Sequence, residues 1–296
     1  MATDTRILAP EFQYLEAHST DEVLTWLAEY GARARVLAGG TDLLVRMKTG
    51  QVQPEYIIHI KKIVSLDYIQ ADEAGLRIGA ATSLREIEGH AAVKTGYSAL
   101  YEAVRSMAAT AIRNMGTIGG NLVNASPAAD TAPPLLVYDA ALKLARRDGV
   151  RWVPVEEFFL GPGKTCLAPE ELLTEISIPP QGPESGSSFL KLGRVAIDIA
   201  KINVAVSLQR SGRKCAGCRI AFGSVAPTPI RVRDAEVILA GQEMSEGLVE
   251  AAAQTGAAAI KPITDNRSTR EYRLKVSRVI LAEALRAAWQ RAGGVL

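Results

Sequence analysis

Apolar side chains recur at helical spacing in "AHSTDEVLTWLAEYGA", where Val23, Trp26, Leu27 and Tyr30 fall on one face. Ser19 and Glu22 stand at capping-box spacing and Gly31 follows, which predicts a capped helix. A short strand, "RVLA", then runs into Gly39 and Gly40. After the glycines comes "TDLLVRMKTG", whose Thr41 or Asp42 can cap one or two helical turns, and after Pro54 another strand, "EYIIHI". The predicted unit is strand, tight glycine turn, short helix, strand.

Alternation predicts a β-hairpin from "LDYIQAD" and "GLRIGA", then a helix capped at Ser83 with Glu86 three residues on. "YSALYEAVRSMA" has the period of a helix of moderate amphipathicity. "APPLLVYDAALKLARRDG", "VRWVPVEEFF" and "LLTEISIP" read as strands, and Pro179-Pro180 with "QGPESGSS" reads as a linker. Beyond about residue 188 the pattern changes to two long paired strands, "AKINVAVSLQR" and "CRIAFGSVA". Three alanine-rich segments follow, at 231–240, 246–260 and 270–292. The last is predicted to be a long amphipathic helix carrying Leu274, Val279, Leu281, Leu285 and Trp289. The pattern is that of an α+β protein with an N-terminal nucleotide-type region and a C-terminal lobe of sheet and helices.

Composition narrows this only a little. A chain of 296 residues suits two or three lobes better than one, and 48% apolar with 22% charged residues excludes a disordered chain. A formal charge of +2, with both signs interspersed, gives no reason to propose nucleic acid or an anionic membrane. Asp4, Glu11 and Glu16 interrupt the first apolar residues and no run reaches about 18 apolar residues, so neither a signal peptide nor a membrane span is expected. A cytoplasmic protein is the default. Cys166, Cys215 and Cys218 do not make a disulfide framework. The CxxC of Cys215 and Cys218 lacks the second pair a zinc ribbon needs, and is read as two ordinary residues at a hairpin. His18, His59 and His90 have no metal-ligand spacing, so no metal site is expected.

Candidate chemistry sits in two glycine segments, "VLAGGTDL" and "GTIGGNL". Paired glycines let successive N–H groups converge on an anion, and a helix start adds a favourable dipole. Each pair alone reads as a turn or bulge. Together, each after an apolar strand-like run, they point to a loop pair gripping a diphosphate from two sides. Neither is GxGxxG or GxxxxGK[ST].

"VLAGGTDLLVRMK" with "IRNMGTIGGNLVNASPAAD" resembles the FAD-binding medium subunit of the molybdenum hydroxylases, the xanthine dehydrogenase and carbon monoxide dehydrogenase family. The resemblance extends to "CLAPEELLTEISIP" and "FLKLGRVAIDIAKINVAVSL". It implies a vanillyl-alcohol-oxidase-like (PCMH-type) FAD-binding fold of two α+β subdomains, residues 1–60 and 61–180. A C-terminal α+β domain at 181–296, a small antiparallel sheet with helices, completes it. It also implies that Val36, Leu37, Ala38, Gly39, Gly40, Thr41, Asp42 and Leu43 wrap the FAD diphosphate. Gly116, Thr117, Ile118, Gly119, Gly120 and Asn121 are expected to contact it from the opposite side, and Asp130 to bind the adenosine side. Leu173 matches a position touching the flavin ring system, and Lys191 a lysine near its pyrimidine end. Met107 falls where some members stack an aromatic side chain on adenine.

Thr41 follows Gly-Gly where covalent relatives carry histidine, so non-covalent FAD is expected. No cysteine-bearing insertion for a [4Fe–4S] cluster is present, which disfavours the 4-hydroxybenzoyl-CoA reductase branch. The resemblance implies an electron-transfer subunit whose partners are a large molybdenum-cofactor subunit and a small subunit with [2Fe–2S] clusters. Electrons would leave for NAD(P)+ or another external acceptor. Flavin chemistry needs no protein nucleophile, and no catalytic side chain is nominated. Two alternatives are a self-contained flavin reductase on the same fold, and a non-catalytic assembly subunit. Gly119→Val is expected to abolish FAD retention with the fold mostly intact.

Overall fold

The computed structural model describes residues 11–296; Asp4 and the start of the first expected subdomain lie outside the described residues. Strand β1 (Gln13–Glu16), helix α1 (Thr20–Tyr30), strand β2 (Ala34–Leu37), helix α2 (Leu43–Lys48) and strand β3 (Tyr56–His59) form a parallel sheet ordered β1-β3-β2. Ser19 caps α1 by accepting from the Glu22 N–H, but the Glu22 carboxylate turns back to the His18 N–H, so the reciprocal bond to Ser19 is missing. Sequence reading passed over β1, because "QYLE" shows too short an alternation to stand out.

The second unit runs β4 (Ile69–Asp72), β5 (Gly75–Gly79), α3 (Leu84–Gly89), α4 (Ala91–Gly96), α5 (Ser98–Arg105), α6 (Thr110–Met115), α7 (Ile118–Val123), α8 (Ala132–Val137), β6 (Ala141–Arg146) and β7 (Gly149–Pro154). It closes with α9 (Val155–Phe158), a small hairpin of β8 (Phe159–Gly161) and β9 (Lys164–Thr165), and β10 (Leu172–Ile178). Five strands pair antiparallel in the order β4-β5-β10-β6-β7. Ser83 and Glu86 form both halves of the capping box on α3.

Three strand expectations fail here, the shortest at Val155–Phe158, which is helix α9. Residues 132–137 are helix α8, with prolines in its first turn, where a missing N–H costs nothing; its six residues are all buried, so no helical period shows in the sequence. The residues before the second glycine pair are helix α6, not a strand.

The C-terminal unit comprises β11 (Ser185–Leu192), β12 (Ile202–Ser211), β13 (Lys214–Gly223), β14 (Ile230–Arg231), α10 (Arg233–Leu239), α11 (Glu246–Ala259) and α12 (Arg270–Arg291). Its antiparallel sheet is ordered β11-β12-β13-β14, and its core joins Val204, Val206, Ile220 and Phe222 to Val249, Leu281, Leu285 and Trp289 of the helices. Val279 is exposed, against expectation, while Arg273 and Ser277 are buried on α12. Arg273 donates to the Ser224 carbonyl and to Asp265, which satisfies its charge there.

A register step beside Gln209 and Arg210 inserts a bulge into β13, and Cys215 and Cys218 both pack against this one core. Among the described residues no group of three or more His, Cys, Asp or Glu could hold a metal, and no helix is long and apolar enough to cross a membrane.

The C-terminal unit is bolted to the second one through Glu102 of α5. Its carboxylate accepts from the Phe189 N–H of β11 at 2.8 Å and from Arg291 at the end of α12 at 3.0 Å. Arg291 also donates to the Ser187 carbonyl at 2.6 Å. Tyr138 and Ser187 share a buried hydrogen bond beside it.

Candidate functional site

All three units contribute walls to one cavity of about 870 Å³. That is near the upper end of the range of roughly 300–1,000 Å³ for ligand sites. Of the residues nominated from sequence, Val36, Ala38, Gly39, Gly40, Thr41, Asp42, Leu43, Met107, Gly116, Thr117, Gly119, Gly120, Asn121, Asp130, Leu173 and Lys191 line it. Leu37 and Ile118 do not line it. Leu37 alternates away from Val36 and Ala38, and Ile118 is fully buried in the core of the second unit.

The first loop leaves β2 and turns through Gly40, whose φ is +72°. The backbone N–H groups of Gly39, Gly40, Thr41 and Asp42 have no hydrogen-bond acceptor among the described residues. Four consecutive donors on a cavity wall, just ahead of α2, are the donor set an anion requires. Asp42 is the N-cap of α2 by position, but its side chain makes no cap bond; its Oδ1 accepts from Asn124 Nδ2 at 3.1 Å instead.

The second loop is built differently. Gly116 N–H donates to Ile112 O, Ile118 to Thr82 O, Gly119 to Ala80 O and Asn121 to Thr117 O. Gly120 N–H is taken by the Thr117 hydroxyl at 3.1 Å, so that side chain is the cap of α7 rather than a free contact. The expectation of a second backbone cradle is therefore corrected. What this loop has left for a ligand is chiefly Asn121, whose Oδ1 accepts from Thr131 at 2.6 Å while its amide N–H₂ stays available.

The glycines of both loops serve protein contacts. A Cβ on Gly39 would lie 2.0 Å from the Met115 carbonyl oxygen and 2.8 Å from the Gly116 Cα, so the loops touch backbone to backbone there. A Cβ on Gly119 would lie 2.6 Å from the Ala80 oxygen. The expected Gly119→Val phenotype is revised on that ground, because valine would strike β5's continuation before it reached the cavity.

On the cavity wall, Asp130 and Lys191 form a buried pair. Lys191 Nζ lies 2.6 Å from Asp130 Oδ2 and 3.2 Å from the Ser106 carbonyl, and Asn203 Nδ2 donates to Asp130 Oδ1 at 2.7 Å. Lys191 is thus no solvated surface lysine, and Asp130 is no simple turn residue. Burial pushes the Asp130 carboxyl above its ordinary range, against the opposing pull of Lys191 and Asn203.

Nearby, Ala108 is held at φ 39°, and Arg113 fixes that strained turn by donating to the Met107 and Ala108 carbonyls, both at 2.8 Å. Leu173 stands at a step in the β6–β10 register, which turns it toward the cavity.

Sequence reading missed several lining residues. Arg46 and Asn124 each follow a nominated residue by one helical turn and were within reach of that spacing. Glu171 also lines the cavity; the hydrogen bond from Arg151 holds its carboxyl below its ordinary range although burial opposes this. Ile197 and Ile199, both exposed, and Asp198 line the mouth on the segment after β11. Arg194 pins that segment by an ion pair that holds the Asp198 carboxyl well below the carboxylate range. Nothing in the local pattern announced them.

Residues 10–181 match the family described as the FAD binding domain in molybdopterin dehydrogenase, and residues 187–288 match the CO dehydrogenase flavoprotein C-terminal domain. The chain is 33% identical to the xanthine dehydrogenase FAD-binding subunit of Escherichia coli O157:H7, over 96% of this chain and 98% of that one. It is also 33% identical to the carbon monoxide dehydrogenase medium chain of Hydrogenophaga pseudoflava, over 96% and 99%. A solved structure of carbon monoxide dehydrogenase from that organism superposes with a TM-score of 0.93, covering 96% of this chain and 99% of its own. Matches of this extent over both parts of the sequence show that the chain belongs to the FAD-binding medium subunits of the xanthine dehydrogenase and carbon monoxide dehydrogenase family.

Proposed function

We propose that this chain is the electron-transfer subunit of a multi-subunit molybdenum hydroxylase. It takes electrons from [2Fe–2S] clusters on a small partner subunit and passes them to NAD(P)+ or another external acceptor, while substrate is oxidised at a molybdenum cofactor on a large partner. The observation that carries the reading is the row of four N–H groups on the wall of the large cavity that have no acceptor among the described residues. The names of the relatives, a FAD-binding subunit and a medium chain, support a multi-subunit assembly.

The donor set fits the cofactor. The N–H groups of residues 39–42 hold the diphosphate, and the Asn121 amide adds a donor beside them. Leu173 would pack against the ring system and Lys191 would place an ammonium near the pyrimidine end; Met107 follows Ser106, whose carbonyl Lys191 holds, so its polarisable sulfur lies at that same end rather than at adenine. The expectation that Asp130 binds the adenosine side gives way here: both of its oxygens are taken by Lys191 and Asn203, and its role is to anchor Lys191. Bound in this cavity, FAD supplies reversible redox chemistry between one- and two-electron carriers, while the chain orients it and tunes it.

No residue is assigned as nucleophile or general acid. Binding is non-covalent, with Thr41 in place of a tethering histidine. The subdomain limits are proposed at 1–60, 61–180 and 181–296. The three cysteines are free thiols, in keeping with the cytoplasm as the compartment.

Two measurements test the assignment. The purified chain should show a flavin absorption spectrum and release intact FAD on acid precipitation. Co-expression with the neighbouring large and small subunits should give a complex in which substrate reduces the flavin anaerobically, and addition of NAD+ or a quinone reoxidises it. A complex in which the flavin stays oxidised while the iron–sulfur clusters reduce would overturn the electron-transfer role.

A further inference from the structure

Asp130 belongs to the second unit, yet both of its oxygens are held from the C-terminal sheet. Lys191 and Asn203 are direct cross-strand partners on β11 and β12, so one sheet register delivers both donors to one carboxylate. Asn203 is fully buried, and its Oδ1 finds no partner among the described residues. On its other side stands Gly223, where a Cβ would come within 2.3 Å of that oxygen. A half-satisfied amide in a dry core costs stability that an apolar side chain of similar size would not. Sheet packing gives no reason for asparagine here; the carboxylate does. The Ser106 carbonyl also holds the Lys191 ammonium, at 3.2 Å, so the ammonium stays at this wall when the carboxylate loses its charge.

We infer that Asn203 is a positioning residue: by fixing Asp130 as a carboxylate, it anchors and partly offsets the Lys191 charge, and so sets how positive a wall the flavin meets. The inference rests on the reading that Lys191 faces the cofactor. It makes the two donors act in opposite directions. Lys191→Met removes positive charge from the wall and disfavours the more negative reduced flavin. Asn203→Leu withdraws a hydrogen bond from the carboxylate, which then takes up a proton in its dry site and leaves Lys191 uncompensated, favouring the reduced flavin.

The test is spectroelectrochemical titration of the full chain with FAD bound, together with the FAD dissociation constant and the melting temperature of each variant. Lys191→Met is expected to lower the midpoint potential, and Asn203→Leu and Asp130→Asn to raise it. The Asn203→Leu/Lys191→Met double variant should fall back to the Lys191→Met value. If Lys191→Met and Asp130→Asn leave potential and FAD affinity unchanged, the placement of these residues at the cofactor is wrong. If those two move the potential and Asn203→Leu does not, the positioning role is wrong and the placement stands. Should Asn203→Leu fail to fold, Asn203→Ser keeps the test open, since its shorter hydroxyl also loses the bond and should shift the potential upward.

Discussion

The two glycine loops look alike in sequence and differ in what they have left to give. "AGGTDL" follows a parallel strand and leaves four backbone donors without acceptors among the described residues. "GTIGGN" follows helix α6, and every N–H from Gly116 to Asn121 except that of Thr117 is taken by protein oxygen. The first loop has donors left for a ligand; the second is the frame that holds it. Gly39 packed against Met115 and Gly116 is the joint between them. A Gly-Gly pair therefore tells little by itself: the acceptors around it decide whether its donors are for sale to a ligand or already placed.

The joint offers the largest expected effect. Gly39→Val should cost about 3 kcal/mol or more, since a branched side chain cannot share space with a backbone carbonyl. Urea unfolding of the flavin-free chain measures it. Normal apo stability with FAD lost would instead mean that this glycine serves the cofactor directly.

Gly119→Ala should cost about 1–3 kcal/mol through its clash at Ala80, again in the flavin-free chain. Here FAD affinity should weaken no more than the lost stability of α7 requires, and a selective loss of flavin from a chain of unchanged stability would return the second loop to the role of a cradle.

Thr117→Val removes the α7 cap at a cost of about 1 kcal/mol and frees the Gly120 N–H. Calorimetry should find the melting temperature lowered and the FAD dissociation constant within about twofold of wild type. A large gain or loss in affinity would show that the cap and the ligand compete for one donor.

The smallest effect concerns Glu171 on the cavity wall, which answers to acid. The folded Glu171 carboxyl titrates below the ordinary 4.5, chiefly through its hydrogen bond from Arg151. The stability this contributes is complete above that unfolded value and drains as pH falls through the folded one. Arg151 is half exposed, so solvent screening limits the contribution to a few tenths of a kcal/mol. Unfolding of wild type and Arg151→Gln should differ most above pH 5 and converge as pH falls through the depressed folded pKa; a constant gap would place the effect in packing rather than charge.

Local sequence carried much of this structure. The Ser83–Glu86 box, the helix after Ser19 and the two long C-terminal strands were readable because each signal lies within a few residues of its effect. Sixteen of the eighteen nominated positions line the cavity because long motifs preserve register. What stayed hidden was relational. Asp130 and Lys191 were each visible, but their bond joins residues 61 apart and depends on how two sheets meet. Helix α8 read as a strand because complete burial erases the period that would identify it. The Ile118 and Gly119 donors of the second loop looked free because Thr82 and Ala80, which occupy them, lie almost forty residues upstream.

Glu102 carries a further consequence, for modularity. The boundary near residue 181 suggests two exchangeable cassettes. Yet the fastening between them runs from α5 to the Phe189 N–H and on to Arg291, at the far end of the chain. A chimaera cut at the linker would inherit half a bolt from each parent. Only donors that carry the matching arginine at the last turn of the final helix, and an acid on the fifth helix to receive it, would close as one body.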